Sequence, residues 1–303
     1  MLALSTVWNA GRWETGSDIA KEIRQAGAPA LELNFSLSSR MVEDLLSYCR
    51  THRIPITSLH NFCPVPEGLA RKDVMPDHYS LASLNESERQ LAVKHTKNTV
   101  LTAERSQARC VVLHCGYVDI KDKTKELIRL CREQKRLTPE YEETLRKFQK
   151  ERQDKSAPHT AQLLKSLEEL GSFAAQHRVA LGLENRFYYN EMPFGKEFGL
   201  IFNALKNKPL GLWLDTGHNY VLEQLGLAPS GQLLKNHGHR LLGVHFHNVR
   251  DLKDHQAVAD GDMDFGFLKP YVKENTVKVM EFHGHVSPEK IRESMRYLEE
   301  LFP

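Results

Sequence analysis

The chain has 303 residues, is 41% hydrophobic and 26% charged, and carries a formal net charge of +2. That is enough chain for one large α/β domain or two smaller ones, in the composition range of a soluble globular fold rather than a disordered or fibrous one. The near-neutral charge argues against a nucleic-acid surface while leaving room for a local basic groove, and no apolar run is long enough to span a bilayer.

The first strand pattern, L-A-L-S-T-V-W at about 2–8, begins almost at Met1 with no secretory segment before it. A helix is predicted over 19–26, and A-L-E-L-N-F (30–35) reads as a second strand. The segment 41–52 is an amphipathic helix with Val42, Leu45, Leu46 and Cys49 on one face. I-T-S-L-H, the third strand, ends at His60, and a Pro-rich loop, N-F-C-P-V-P-E-G, leads to a long helix over about 87–107. The fourth strand, V-V-L-H, ends at His114. Four more apolar runs end in Glu184, Asp215, His245 and Glu281, with helical segments near 161–177, 196–206, 219–236 and 264–273 between and after them. Ser287-Pro288 then opens a last helix, with Ser as cap and Pro in the first turn.

Eight strands alternating with helices imply parallel pairing, and in this length they predict a single (β/α)8 TIM barrel as one domain spanning 1–303. The charged stretch 119–159, split at Leu137-Thr138-Pro139, reads as a helical hairpin inserted after strand 4. A solvated surface hairpin, a lid over the site and a dimer contact are its three readings, so a homo-oligomer stays open. The five cysteines contain no C-x-x-C and read as reduced thiols in a cytoplasmic protein.

The chemistry lies at the strand ends. A His or carboxylate in a continuous apolar run must be paired or hold an ion, because burying it alone is costly. Six such residues at the C-terminal ends of strands, His60, His114, Glu184, Asp215, His245 and Glu281, converge on the face where barrel active sites lie. Glu184, Asp215, His245 and Glu281 come from four successive strands and can surround one divalent cation, with Mn, Zn, Co and Mg all suited to oxygen and imidazole ligands. His60 and His114 come from the preceding strands, His218 lies three residues after Asp215, and His255 sits on the loop after the seventh strand. These four are possible additional metal or substrate contacts, which leaves a second or third ion open. His247 faces the same side as His245, and Arg186 the same side as Glu184, by the two-residue strand period. With Arg250 they are candidate substrate contacts. The remaining histidines at 52, 78, 95, 159, 177, 237 and 239 read as surface residues.

Taken in order, the His60 and His114 strands, L-E-N at Glu184, D-T-G-H from Asp215 to His218, G-V-H at His245, A-D-G-D-M-D-F up to Phe265 and M-E-F at Glu281 resemble the xylose isomerase-like barrels. That superfamily includes sugar-phosphate isomerases and epimerases and endonuclease IV. The resemblance covers the whole chain except the insertion. It implies one divalent ion held by Glu184, Asp215, His245 and Glu281, with Glu184 and Glu281 as acid and base on opposite faces of a sugar, sugar phosphate or keto-polyol. The ion would stabilise an enediolate, and Arg250 the oxyanion. Endonuclease IV, a multi-zinc phosphodiesterase acting on abasic DNA, uses a larger set that matches His60, His114, His218 and His255. Where that family carries D-x-H, this chain reads Lys253-Asp254-His255, with Lys253 in place of the acid. A keto-polyol dehydratase and a non-catalytic sugar- or partner-binding barrel are the other readings.

Overall fold

The computed structural model describes all 303 residues. Eight parallel strands close into a barrel in the order β1-β10-β7-β6-β5-β4-β3-β2. They are β1 (Leu2–Ser5), β2 (Ala30–Leu33), β3 (Ile56–His60), β4 (Cys110–Leu113), β5 (Ala180–Glu184), β6 (Leu210–Asp215), β7 (Leu241–Phe246) and β10 (Val277–Met280). An antiparallel hairpin, β8 (Asn248–Arg250) and β9 (Lys253–Gln256), stands apart from the barrel. Its turn residues Asp251 and Leu252 both have positive φ, 51° and 57°, as a two-residue hairpin turn demands.

The helices are α1 (Gly16–Gln25), α2 (Ser39–His52), α3 (Glu86–Ser106), α4 (Thr124–Arg132), α5 (Pro139–Gln176), α6 (Lys196–Ala204), α7 (Thr216–Gln224), α8 (Gln232–His237) and α9 (Pro288–Leu301). Side-chain caps set many of their starts: Ser38 for α2, Asn85 for α3, Thr138 for α5 and Ser287 for α9. None is long and apolar enough to cross a membrane, and all five cysteines are unpaired.

Three sequence expectations are corrected. The helix expected over 264–273 is only a 3-10 turn, Phe265–Leu268, because Gly266 and Pro270 interrupt it. The helix expected over 219–236 is broken into α7 and α8 by Gly226, Pro229 and Gly231, both glycines having positive φ. The segment near 161–177 is the end of the 38-residue α5, which runs through Pro158 without stopping. Thus the 119–159 stretch comprises α4 and the first half of α5, and the latter passes directly into the helix that packs on the barrel.

Inward-facing residues form layers two apart along each strand. Below the polar residues these layers are apolar: Ala3, Ala30, Cys110, Val112, Trp213, Val277 and Val279 make a buried cluster separate from the main core. Trp213 is its largest side chain and is fully buried. Its indole fits because the flanking strands carry glycine, since a Cβ on Gly243 would lie 2.3 Å, and one on Gly182 2.8 Å, from the ring. Two residues beyond Trp213 along β6 lies Asp215, and the polar layer begins there.

Trp213→Ala should empty the barrel interior and destabilise the fold by about 3–5 kcal/mol, the usual cost of truncating a buried aromatic. Denaturant unfolding measures this, and a loss of well under about 1 kcal/mol would mean that the indole is not a packing element.

Candidate metal centre

Strand register brings the polar layer together. Asp215 on β6 pairs with His245 on β7, Glu184 on β5 with Trp213 on β6, and Ser5 on β1 with Glu32 on β2. Glu281 follows directly after β10, its N–H donating to Phe246 O. One ligand atom from each of Glu184, Asp215, His245 and Glu281 lies within 4.8 Å of the others, and all four residues are buried. His245 Nδ1 faces this group, 3.0 Å from Glu184 Oε1 and 3.2 Å from Glu281 Oε2. Its ring stands edge-on to Trp213 at 5.1 Å, so the indole forms the floor of the centre.

Behind His245 lies a residue that the sequence reading missed. Glu32 is completely buried, with its carboxylate 3.0 and 3.1 Å from His245 Nε2 and accepting from Ser58 Oγ at 2.8 Å. With Nε2 engaged by Glu32, Nδ1 is the nitrogen left to face the centre, the arrangement by which a carboxylate orients a metal-binding imidazole.

The D-T-G-H segment has a local physical logic. Asp215 ends β6 and caps α7, accepting from His218 N–H at 2.7 Å. Thr216 Oγ1 donates toward His245 O and His247 O and accepts from His247 N–H, joining β6 to β7. Gly217 admits the His247 ring, which would come within 2.2 Å of any Cβ there. Asn185, the residue after Glu184, exchanges two hydrogen bonds with Asp215, at 2.9 and 2.8 Å.

The candidates divide into groups. His247 has both nitrogens engaged: Nε2 sits 2.9 Å from Asp215 and Nδ1 accepts from His255 N–H at 2.9 Å. It therefore holds Asp215. His218 Nε2 and His255 Nε2 both face Asp254 Oδ2, at 3.7 and 3.6 Å. The acid that falls one place late in the sequence thus reaches these histidines, while Lys253 is exposed. His60 Nε2 and His114 Nε2 approach Glu184 Oε2, at 3.5 and 2.8 Å. The closer contact lacks hydrogen-bond geometry, leaving His114 Nε2 buried without a partner. Arg186 is held by ion pairs: Nη1 binds the same Glu184 Oε2 at 2.9 Å and Nη2 approaches Glu191 and Asp77. Arg250 is exposed at the end of β8 and is not brought to the cluster.

Asp77 and Glu191 also escaped the sequence reading. Asp77 Oδ2 lies 2.9 Å from His114 Nδ1. Both residues come from irregular loops, where no periodicity signals direction. The 119–159 stretch holds the Glu191 loop in place. Buried Arg152 on α5 binds Glu197 through both Nη atoms, at 2.7 and 3.0 Å, and donates to the carbonyls of Tyr189 and Glu191. Thr124 on α4 accepts from Tyr189 N–H. His159, expected at the surface, is buried and bridges Asp119 N–H and Ala82 O; His95, also expected there, is buried beside Tyr79.

Charge crowding shifts these groups apart. Burial pushes the Glu281 carboxyl up, His245 opposes, and the neighbouring carboxylates of Glu184, Glu32 and Asp215 add to the rise, to about 8. Burial acts the same way on Glu184, but Arg186 and His114 outweigh it and hold that carboxyl well below its ordinary range. Burial opposes protonation of His245, yet Glu281 and Glu32 raise it well above the usual imidazole value. Four buried carboxylates around one imidazole, with an orphaned imidazole nitrogen beside them, are a donor set that fits a divalent cation.

The model of the xylose isomerase-like TIM barrel family matches residues 20–301. Among curated proteins, none matches this chain in sequence. Solved structures share the fold at low identity. A D-tagatose 3-epimerase-like protein is 18% identical, with a TM-score of 0.66 over 99% of this chain and 96% of its own. D-allulose 3-epimerase from Methylomonas sp., in complex with D-allulose, is 13% identical, with a TM-score of 0.68 over 99% and 96%. A Thermus thermophilus protein soaked with zinc chloride is 18% identical, with a TM-score of 0.58 over 99% and 96%. The chain belongs to the xylose isomerase-like TIM barrel family.

Glu32→Gln should leave the fold intact and weaken divalent-metal affinity by about 10–100-fold, the usual effect of losing a carboxylate behind a ligating imidazole. Titration calorimetry with Mn or Zn checks this, and unchanged affinity would remove Glu32 from the centre. The crowding also predicts a pH dependence. Glu281, at about 8, His114, at about 9, and His245 all have folded-state values above their ordinary ones. The folded state therefore retains protons that the unfolded chain has released, so stability falls as pH rises through these values. Chelator-treated protein should melt at a lower temperature at about pH 8.5 than at about pH 7. A flat or rising profile would contradict the crowding.

Proposed function

We propose that this xylose isomerase-like barrel is a divalent-metal-dependent isomerase or epimerase of a small hydroxy-carbonyl compound: a sugar, sugar phosphate or keto-polyol. The observation that carries the reading is the convergence of Glu184, Asp215, His245 and Glu281 on one buried point at the mouth of the barrel. Two structural neighbours, a D-tagatose 3-epimerase-like protein and a D-allulose 3-epimerase, support it.

In this reading those four residues hold the ion, His245 through Nδ1. The ion, when bound, polarises a substrate carbonyl and its neighbouring hydroxyl and so acidifies the C–H between them. Glu184 and Glu281 remove and return that proton. Their strands, β5 and β10, are separated by β6 and β7 in the barrel wall, so the two carboxylates reach the substrate from different sides. Arg186 keeps Glu184 ionised, ready to accept a proton, and Glu32 fixes the ring of His245. Positioned proton transfer of this kind contributes about 10²–10⁴-fold. Asp215 is oriented by His247 Nε2 and Asn185, and it does no proton chemistry.

A second reading, a phosphodiesterase acting on abasic DNA with several ions, is favoured by two further groups, His60, His114 and Glu184, and His218, His247 and His255, in each of which the ligand atoms lie within 4.8 Å of one another. Arg186 weighs against it. The guanidinium binds the same Glu184 Oε2 that His60 and His114 approach, so a fixed cation stands beside the carboxylate that a further ion would share.

Glu281→Gln should fold normally and slow exchange of the substrate α-proton in heavy water by about a hundredfold or more. Near-normal exchange in that variant would remove Glu281 as an acid/base group. Cleavage of an abasic duplex by the unaltered protein, without ketose exchange, would replace the proposal with the second reading.

A further inference from the structure

Beside the metal centre lies an open cleft of about 510 Å³ that none of the chemistry above uses. One wall is α4, which presents Lys125, Arg129 and Arg132 at spacings that share a helix face, while Leu127, Ile128 and Leu130 on that helix are buried. The other wall is the β8–β9 hairpin. It places Lys253 and Asp254 in the cleft, where Glu133 of the opposite wall is a second acid, and the Asp254 carboxylate lies toward His218 and His255. The two walls are tied together, because Arg132 donates through Nε and Nη2 to Asp251 O at the hairpin tip, at 3.0 and 2.8 Å. Phe187 also lines the cleft, and its ring meets His218 edge-on at 5.7 Å. The cleft therefore borders the His218 side of the site.

The cations in this cleft are only partly compensated. Arg129 shares Glu133 with Lys135, and Arg132 approaches Asp251; both pairs are exposed and so weak. Lys125 lies over the Tyr188 ring at 5.3 Å and, like Lys253, makes no ion pair. The interior is the opposite. Glu32, Glu184, Asp215 and Glu281 fill the floor, with Asp77 and Glu191 beside it. An anionic group on a substrate is repelled by that floor and attracted to the rim. A neutral sugar gains little from four cations. A phosphate offers three acceptor oxygens and nearly two charges, which suit both the planar guanidinium and the ammonium groups.

We infer that the cleft between α4 and the β8–β9 hairpin is a phosphate subsite, so that the substrate is a phosphomonoester bound with its carbonyl end at the metal centre and its phosphate against Lys125, Arg129, Arg132 and Lys253. This rests on the isomerase reading for the carbonyl end and on the cleft alone for the phosphate. It gives the 119–159 stretch a direct part in recognition.

The test measures affinities of the metal-loaded protein for D-allulose, D-allulose 6-phosphate and inorganic phosphate, with α-proton exchange in heavy water followed for both sugars. The phosphorylated sugar should bind about tenfold or more tightly than the free one. That ratio should collapse to within about threefold in the Lys125→Gln/Lys253→Gln double variant and be largely kept in Lys253→Arg. Both positions are exposed, and melting curves check that the variants fold. Equal affinity for the two sugars, together with phosphate binding that ignores the double substitution, would overturn the subsite. Tighter, rim-dependent binding of a short abasic duplex than of the sugar phosphate would overturn the monoester assignment. The exchange measurement reports separately. Rim-dependent phosphate binding without exchange in either sugar leaves the subsite standing and removes the isomerase. Exchange with free D-allulose and no phosphate preference does the reverse.

Discussion

Glu32, Glu184, Asp215 and Glu281 meet inside a closed barrel, and only His245 touches all four. The rest of the site follows from the need to make that tolerable. Buried charge of one sign is costly unless it is paired or coordinates an ion. The chain meets the need in two ways. Fixed donors surround the carboxylates, with the Arg186 guanidinium on Glu184 and the His247 imidazole on Asp215. The remaining unbalanced charge sits where the four oxygen and nitrogen donors face one another, which makes the centre a place for a divalent cation rather than an ordinary ion-pair network. Two of the carboxylates also have a mechanical duty: Asp215 caps α7, and Glu32 joins the interior of β2 to β3 and β7.

The barrel was legible because its signals are periodic and repeated. Apolar runs of strand length ending in a polar residue recur along the chain, and their common position predicts a common face. Glu32 obeys the same rule and was passed over because it lies inside A-L-E-L-N-F rather than at its end. The principle applied, that a carboxylate in an apolar strand must have a partner, already covered it. Asp77 and Glu191 lacked any such signal, since irregular loops have no period from which to infer the direction of a side chain. The late Asp254 misled for a related reason. Counting along the chain assumes an extended backbone, but His255 has a φ of 53°, and the hairpin carries the carboxylate where a simple count does not. Helix ends failed where Gly and Pro disagreed with hydrophobic periodicity: 219–236 breaks at Pro229, whereas α5 continues through Pro158.

The 119–159 stretch is less detached from the site than its charge suggested. Arg152, deep in its long helix, holds the loop that carries Glu191, and Glu191 in turn faces Arg186 beside Glu184. The chain of contacts runs from the outer surface to the centre in a few steps, each a buried, charge-assisted bond. Arg132 reaches the opposite side of the mouth at the same time.

The indole of Trp213 and the bare backbones of Gly182 and Gly243 beneath it have a consequence for substitution. Here one side chain occupies space that two adjacent strands leave vacant. Enlarging either glycine needs a smaller residue at 213, and shrinking the tryptophan leaves a hole that only a larger residue at 182 or 243 fills. The three positions form one packing unit, free to change together and hardly at all one by one.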